Sequence, residues 1–197
     1  MIPTTLVQSA FNRAVQASED ASLPPRLRHR ERSKRFVEAL ADHLRSHYRH
    51  RANVAVLSKH YAANRPRFGL NELLYDVLVC ETDEIASAEN DGRLTFVTRG
   101  LWAIESEFAR NSREAVFDFN KLVLASADAK LFVGPLTADP EAFLRPLAGP
   151  GAYCSGKLFV ALAPHPRVWD PKGPAAVSMW EWRSHTWQPT TIDSPGG

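Results

Sequence analysis

Residues 101–108 read LWAIESEF, and residues 73–80 read LLYDVLVC. Each is a short apolar run, rich in residues that pack well on a pleated surface and interrupted by acids, so each reads as a strand. A strand sends alternate side chains to opposite faces. In the first run Trp102, Ile104, Ser106 and Phe108 share one face, while Ala103, Glu105 and Glu107 share the other. In the second, Asp76 stands in the middle of the apolar stretch. Burying an unpaired carboxylate is costly, and three on paired strands repel one another. A hard divalent cation, Mg2+ or Mn2+, relieves both problems, because such ions prefer oxygen ligands. Taken singly, each acid is better explained by a solvated sheet face or an arginine partner. The weight rests on the three together.

The flanking sequence supplies helices. Residues 4–18 read as a short helix, broken at Ser22–Pro25. From Arg32 to Arg49 the residues Phe36, Val37, Leu40, Leu44 and Tyr48 recur at helical spacing. Residues 53–63 are ambiguous between strand and helix, and Arg65-Pro66-Arg67 ends them. After the Asp76 strand, Asp91-Gly92 marks a turn, Leu94–Thr98 a short strand and Arg99-Gly100 a second turn. Residues 112–127 read as a helix opened by a Ser112 cap, with Ala115, Val116, Phe119, Leu122 and Val123 on its apolar side. Lys130–Gly134 and residues 157–163 read as strands, 135–150 as a proline-rich stretch with a short helix, and 176–187 as a last aromatic-alternating strand. This order predicts an α/β fold with a mixed sheet.

The chain has 197 residues, 44% hydrophobic and 23% charged, which suits one globular domain able to bury its own core. Its two cysteines, Cys80 and Cys154, make neither a disulfide framework nor a zinc-ligand spacing and read as reduced, buried thiols. No apolar stretch is long enough for a membrane span, and the N-terminus lacks a signal-peptide pattern, so a cytoplasmic setting is expected. The net charge of +2 conceals an asymmetry: residues 1–70 hold 13 Lys/Arg and 5 Asp/Glu, leaving 11 and 17 for the remainder. The basic part suits a phosphate backbone as well as it suits a solvated helix face. On the first reading, the arginine-rich segment from Arg26 to Arg67 faces the carboxylates.

Asp76, followed after a gap by Glu105-Ser106-Glu107 on the next strand, resembles the signature of the PD-(D/E)xK, or restriction-endonuclease-like, nucleases. The element order over residues 32–134 is similar as well: helix, strand with Asp, strand with Glu-x-Glu, helix, strand. The chain departs from the signature in two places. Tyr75 stands where the family has proline, and Glu107 replaces the lysine. Some restriction enzymes resemble this chain in carrying Glu there. In other members the lysine moves to the following helix, and Lys121 in DFNKL is similar to that arrangement, although an ion pair with Asp118 or Glu114 explains it equally.

The resemblance implies a restriction-endonuclease-like mixed β-sheet flanked by helices. The domain plan is a basic arm with a helix at 1–31, one nuclease-like domain at 32–190 and a loose tail at 191–197. It further implies a Mg2+-dependent (or Mn2+-dependent) phosphodiester hydrolase acting on DNA, with RNA as an alternative substrate and a homodimer by analogy. Asp76, Glu105 and the Ser106 backbone carbonyl would hold the metal. Glu107 or Lys121 would orient the attacking water or share charge with the phosphate, and Arg65, Arg67 and Arg110 would contact nucleic acid. Two alternatives remain open: a nuclease-fold protein that binds nucleic acid or a protein without cleaving, and a partner-binding α/β domain with no metal site.

Three other signals carry less. Residues 151–157, GAYCSGK, match a phosphate-loop spacing, but Leu158 replaces the Ser/Thr and a strand follows in place of a helix. His43, His47 and His50 fall at helical spacing among arginines that oppose a cation. Trp102, Trp180, Trp182 and Trp187 sit at strand spacing, where aromatic residues are usually core.

Overall fold

The protein is described by a computed structural model that covers residues 3–17, 23–88, 92–109, 111–170 and 176–190. The fold is α/β, with a mixed sheet between helices on both faces. Its helices are α1 (Pro3–Gln16), α2 (Pro25–Tyr48), the four-residue α3 (Arg65–Phe68), α4 (Ser112–Leu124) and α5 (Pro140–Gly151). Its strands are β1 (Val54–Ser58), β2 (Val77–Ser87), β3 (Gly92–Ser106), β4 (Ala127–Pro135), β5 (Lys157–Ala163), β6 (Ser178–Arg183) and β7 (Thr186–Pro189). They form one seven-stranded sheet in chain order. β1, β2 and β3 run antiparallel, β3, β4 and β5 parallel, and β5, β6 and β7 antiparallel again. None of the described helices is long and apolar enough to cross a membrane.

Alternation along the strands divides the core in two. Val77, Val79, Trp102, Ile104, Leu131 and Val133 face α1 and α2, which contribute Phe11, Phe36, Leu40 and Leu44. Leu78, Cys80, Ala103, Phe132 and Val160 face α4 and α5, which contribute Ala115, Phe119, Leu122 and Leu147. The two crossovers, β3–α4–β4 and β4–α5–β5, step the same way along the sheet. Right-handed connections therefore leave both helices on one face.

Several elements differ from the sequence expectation. α2 begins at Pro25 rather than Arg32, so residues 25–31 are continuous with the domain, and α1 buries Val7, Ala10 and Phe11 in the core instead of standing off as an arm. β2 begins at Val77, so Asp76 stands one residue before the strand rather than in its middle. Arg99-Gly100 is no turn: β3 runs through it, and its register with β2 slips between Val79 and Cys80 and again between Glu81 and Thr82. Those bulges carry the extra residues that a turn would otherwise have absorbed. Gly100 is needed for a different reason, since a Cβ there would lie 2.6 Å from the Ser126 carbonyl oxygen. The helix cap is Asn111, whose side chain accepts from the Glu114 amide, and Ser112 is the first helical residue. The last aromatic stretch is a hairpin, β6–β7, turned by Ser184 and His185 at φ of 49° and 61°. Asp91, Ser22 and residues 191–197 lie outside the described residues.

Candidate active site

The site forms at the C-terminal end of β3, where the sheet changes from antiparallel to parallel; ligands of open α/β sheets bind outside the carboxyl ends of the strands. Val77 pairs with Ile104, which brings Asp76, one residue outside the ladder, opposite Glu105. Leu74 turns the chain just upstream with a φ of 66°. Asp76 is half-buried, and its Oδ2 accepts from the Ser106 amide at 2.9 Å and the Ser106 hydroxyl at 2.6 Å. Glu105 shares the face of Ala103 and is only 2% exposed.

The two oxygens of Glu105 are treated differently. Oε2 accepts from the Lys121 ammonium at 3.0 Å, while Oε1 is buried with no hydrogen-bond partner among the described residues. Burial, and then the charge of Asp76, pushes this carboxyl up to about 8, and Lys121 opposes the shift without cancelling it. The phenol of Tyr75, buried beside it, is raised by its own burial and by Glu105. Lys121 also reaches Asp118 Oδ1 at 2.9 Å, and these two carboxylates hold its ammonium above the usual lysine range against the opposing effect of burial.

Glu107 lies just past the end of β3. Its amide donates to the Val133 carbonyl, and its Oε1 accepts from the Ala109 amide at 2.5 Å. Burial raises its acid, the Ala109 bond lowers it, and neighbouring Asp118 raises it again. A cleft of about 500 Å3 opens there, lined by Glu107, Asn111, Arg113, Glu114, Phe117 and Asp118.

Asp76, Glu105, Ser106 and Lys121 therefore meet, with Glu107 joined to them through Asp118. Lys121 pairs with its helical neighbour Asp118 and across to Glu105 at once, so the two explanations offered for it coexist. Sequence reasoning named Asp118 only as an ion-pair partner for Lys121 and Tyr75 only as the residue in the proline position, and gave neither a role in the site. Asp118 lies one helical turn before Lys121, and that i,i+3 spacing was the available signal. Among the described residues, no three His, Cys, Asp or Glu side chains form a group able to hold a metal ion by themselves. Any ion here would need a backbone oxygen or water as well as Asp76 and Glu105.

The basic segment is arranged otherwise than expected. The apolar stripe of α2 covers the Trp102 and Ile104 face, so that helix lies across the sheet from Glu105. Arg67 bonds the Thr82 hydroxyl at 3.0 Å; Thr82 is six residues along from Asp76, a separation of about 20 Å at strand rise. Arg65 is exposed on the same short helix, and Arg110 lies outside the described residues. Residues 151–157 link a helix to a strand, the reverse of a phosphate loop. The tryptophans are core or packed against it. Both cysteines are free thiols, Cys80 buried and Cys154 half-buried.

Comparison with protein-family models, with curated proteins and with solved structures returned no match to this chain.

Proposed function

We propose that the protein is a Mg2+- or Mn2+-dependent phosphodiester hydrolase acting on DNA, with a PD-(D/E)xK-like site whose lysine, Lys121, comes from the helix after the Glu-x-Glu strand. One observation carries this reading: Glu105 Oε1 is buried, near a second carboxylate, and has no hydrogen-bond partner among the described residues. A buried acceptor without a donor is an expensive arrangement, and a cation is the ligand that relieves it. The donor set fits a hard cation, since Asp76, Glu105 and the Ser106 carbonyl are all oxygen ligands. These three would hold the ion, which when bound polarises a phosphate oxygen and acidifies a coordinated water.

The remaining chemistry belongs to side chains. The Lys121 ammonium, fixed between Glu105 and Asp118, would offset charge building on the attacked phosphate. Asp118 keeps that ammonium in place, and Glu107 beside it lines the approach. With its carboxyl at about 8, Glu105 must release a proton before it can act as a ligand, so metal affinity should climb with pH. The test is cleavage of duplex and single-stranded DNA by the purified chain with Mg2+ or Mn2+, beside Glu105→Gln. Cleavage by wild type alone supports the reading; equal cleavage by both overturns the mechanism.

A second reading is favoured by the Lys121–Glu105 ion pair at 3.0 Å, 2% exposed on the acid side. Lys121 already supplies Glu105 with a positive charge, which suits a nuclease-fold protein that binds nucleic acid or a protein without cutting. Wild type that binds DNA but cleaves neither DNA nor RNA with either ion would shift the conclusion to this alternative.

A further inference from the structure

A second buried ionisable group lies on the same face of the sheet, one strand across from Glu105 and two residues towards the N-terminal ends of the parallel strands. Lys130 of β4 is 0% exposed, yet among the described residues it makes no ion pair. Its Nζ has one hydrogen-bond partner there, the Ser155 hydroxyl at 3.0 Å. An ammonium carries three donors, so burial with one bond favours the neutral amine. Burial lowers the basicity of Lys130, against the opposing effect of the neighbouring Cys154 thiol, whose own acidity is weakened by burial. Ser155, by contrast, is exposed in the turn between α5 and β5. That turn is pinned to β4: Gly156 has φ +73°, and a Cβ there would lie 2.6 Å from the Asp128 carbonyl oxygen.

We propose that Ser155 and Lys130 form a nucleophile–base pair, and that Ser155 accepts an acyl group from an activated carboxylic ester. A buried amine with no ion-pair partner among the described residues, 3.0 Å behind an exposed hydroxyl, is placed to activate an otherwise weak oxygen nucleophile. Ser155 Oγ attacks the ester carbonyl carbon and passes its proton to Lys130 Nζ. The carbon–oxygen bond to the leaving group then breaks, and the alcohol departs with the proton from Lys130. The result is an acyl-Ser155 and one free alcohol, with no change of oxidation state. This site shares no residue with the carboxylate cluster and does not depend on a metal.

The experiment treats the full chain with p-nitrophenyl acetate, and separately with an alkyl fluorophosphonate that captures the same nucleophile, and locates the label by peptide mass mapping. Wild type should carry one label on Ser155, Ser155→Ala none, and Glu105→Gln as much as wild type. Lys130→Met should label at least about a hundredfold more slowly, the scale of a positioned general base. Urea-unfolded wild type should show the same loss, which keeps the comparison valid if Lys130→Met fails to fold. Wild type unlabelled at Ser155, label on Cys154 instead, or equal rates in native and unfolded chains would each overturn the proposal.

Discussion

Glu105 and Lys130 make an instructive pair. They sit on neighbouring parallel strands, with Ala103 opposite Lys130 and Phe132 opposite Glu105, and alternation sends both toward α4 and α5. They are 2% and 0% exposed. Burial pushes each toward its neutral form, the acid up and the amine down. Their partners differ. Glu105 stands at the strand ends among Asp76, Tyr75 and Asp118, with a lysine from α4 on one oxygen and, among the described residues, no partner on the other. Among the described residues, the polar groups beside Lys130 are a hydroxyl and a thiol. Burial alone therefore does not define a site. A carboxylate with an open oxygen beside a second acid suits a cation, whereas an amine without a counter-ion beside an exposed hydroxyl suits proton transfer.

The strongest way to break this contrast is at Glu105. Glu105→Gln keeps the shape and removes the charge. Mg2+-dependent cleavage should fall more than about a hundredfold, beyond the usual loss for an outer-shell partner. DNA affinity should largely persist, because phosphate contacts supply most of it. Without metal the melting temperature should hold or rise above about pH 8, where the wild-type carboxyl is charged, since the cost of its burial and the repulsion from Asp76 are gone. A variant that cleaves as fast as wild type removes Glu105 from the chemistry.

Lys121→Ala comes next. If the ammonium acts on the phosphate, cleavage should drop about 10- to 100-fold. The loss of its hydrogen bond and charge should also raise the Glu105 carboxyl further, moving the pH at which Mg2+ activates upward. An unchanged rate and an unchanged activation pH would reduce Lys121 to the i,i+3 partner of Asp118.

The two buried groups also predict pH dependences of opposite sign. Glu105 binds more protons folded than unfolded. Its contribution is fully present below its unfolded value near 4.5 and is lost as pH rises through about 8. Lys130 is depressed below 10.5, so its contribution is present above that value and lost as pH falls through the folded one. Each slope reaches at most about 1.4 kcal/mol per pH unit. Metal-free denaturation midpoints across pH should therefore flatten on the neutral side in Glu105→Gln and on the alkaline side in Lys130→Met. Parallel curves for wild type and both variants would contradict the burial argument.

Much of the carboxylate site was legible because strand alternation is a strict rule. It placed Glu105 with Ala103, away from Ile104, and the structure keeps that division. The same rule could not find β2's start, because Leu73–Tyr75 are as apolar as the strand they precede. Arg99-Gly100 carried a turn composition, yet the glycine serves a close approach to Ser126 rather than a reversal. Lys130 was missed for a related reason. At the start of an apolar run a lysine reads as the exposed edge, and only the neighbouring strands and the Ser155 turn, distant in sequence, show that it is enclosed. The basic face of α2 was visible, but charge has no period that tells which side of a sheet a helix covers.

The smallest predicted effect tests whether α4 merely carries Lys121 or holds it in place. Asn111 caps the helix, with its side-chain oxygen accepting from the Glu114 amide at 2.8 Å. Asn111→Ala should cost about 1 kcal/mol of stability, measurable as a lower denaturation midpoint with an unchanged slope. Lys121 lies nearly three turns further on, where Phe119 and Leu122 anchor the helix in the core. Fraying at the first turn should not reach it, so any cleavage activity should change less than about threefold, while the cleft between Glu107, Glu114 and Asp118 loosens. If Asn111→Ala instead lowers cleavage as far as Lys121→Ala, the working geometry is set at the mouth of that cleft, and Glu107 rather than Lys121 becomes the side chain to pursue.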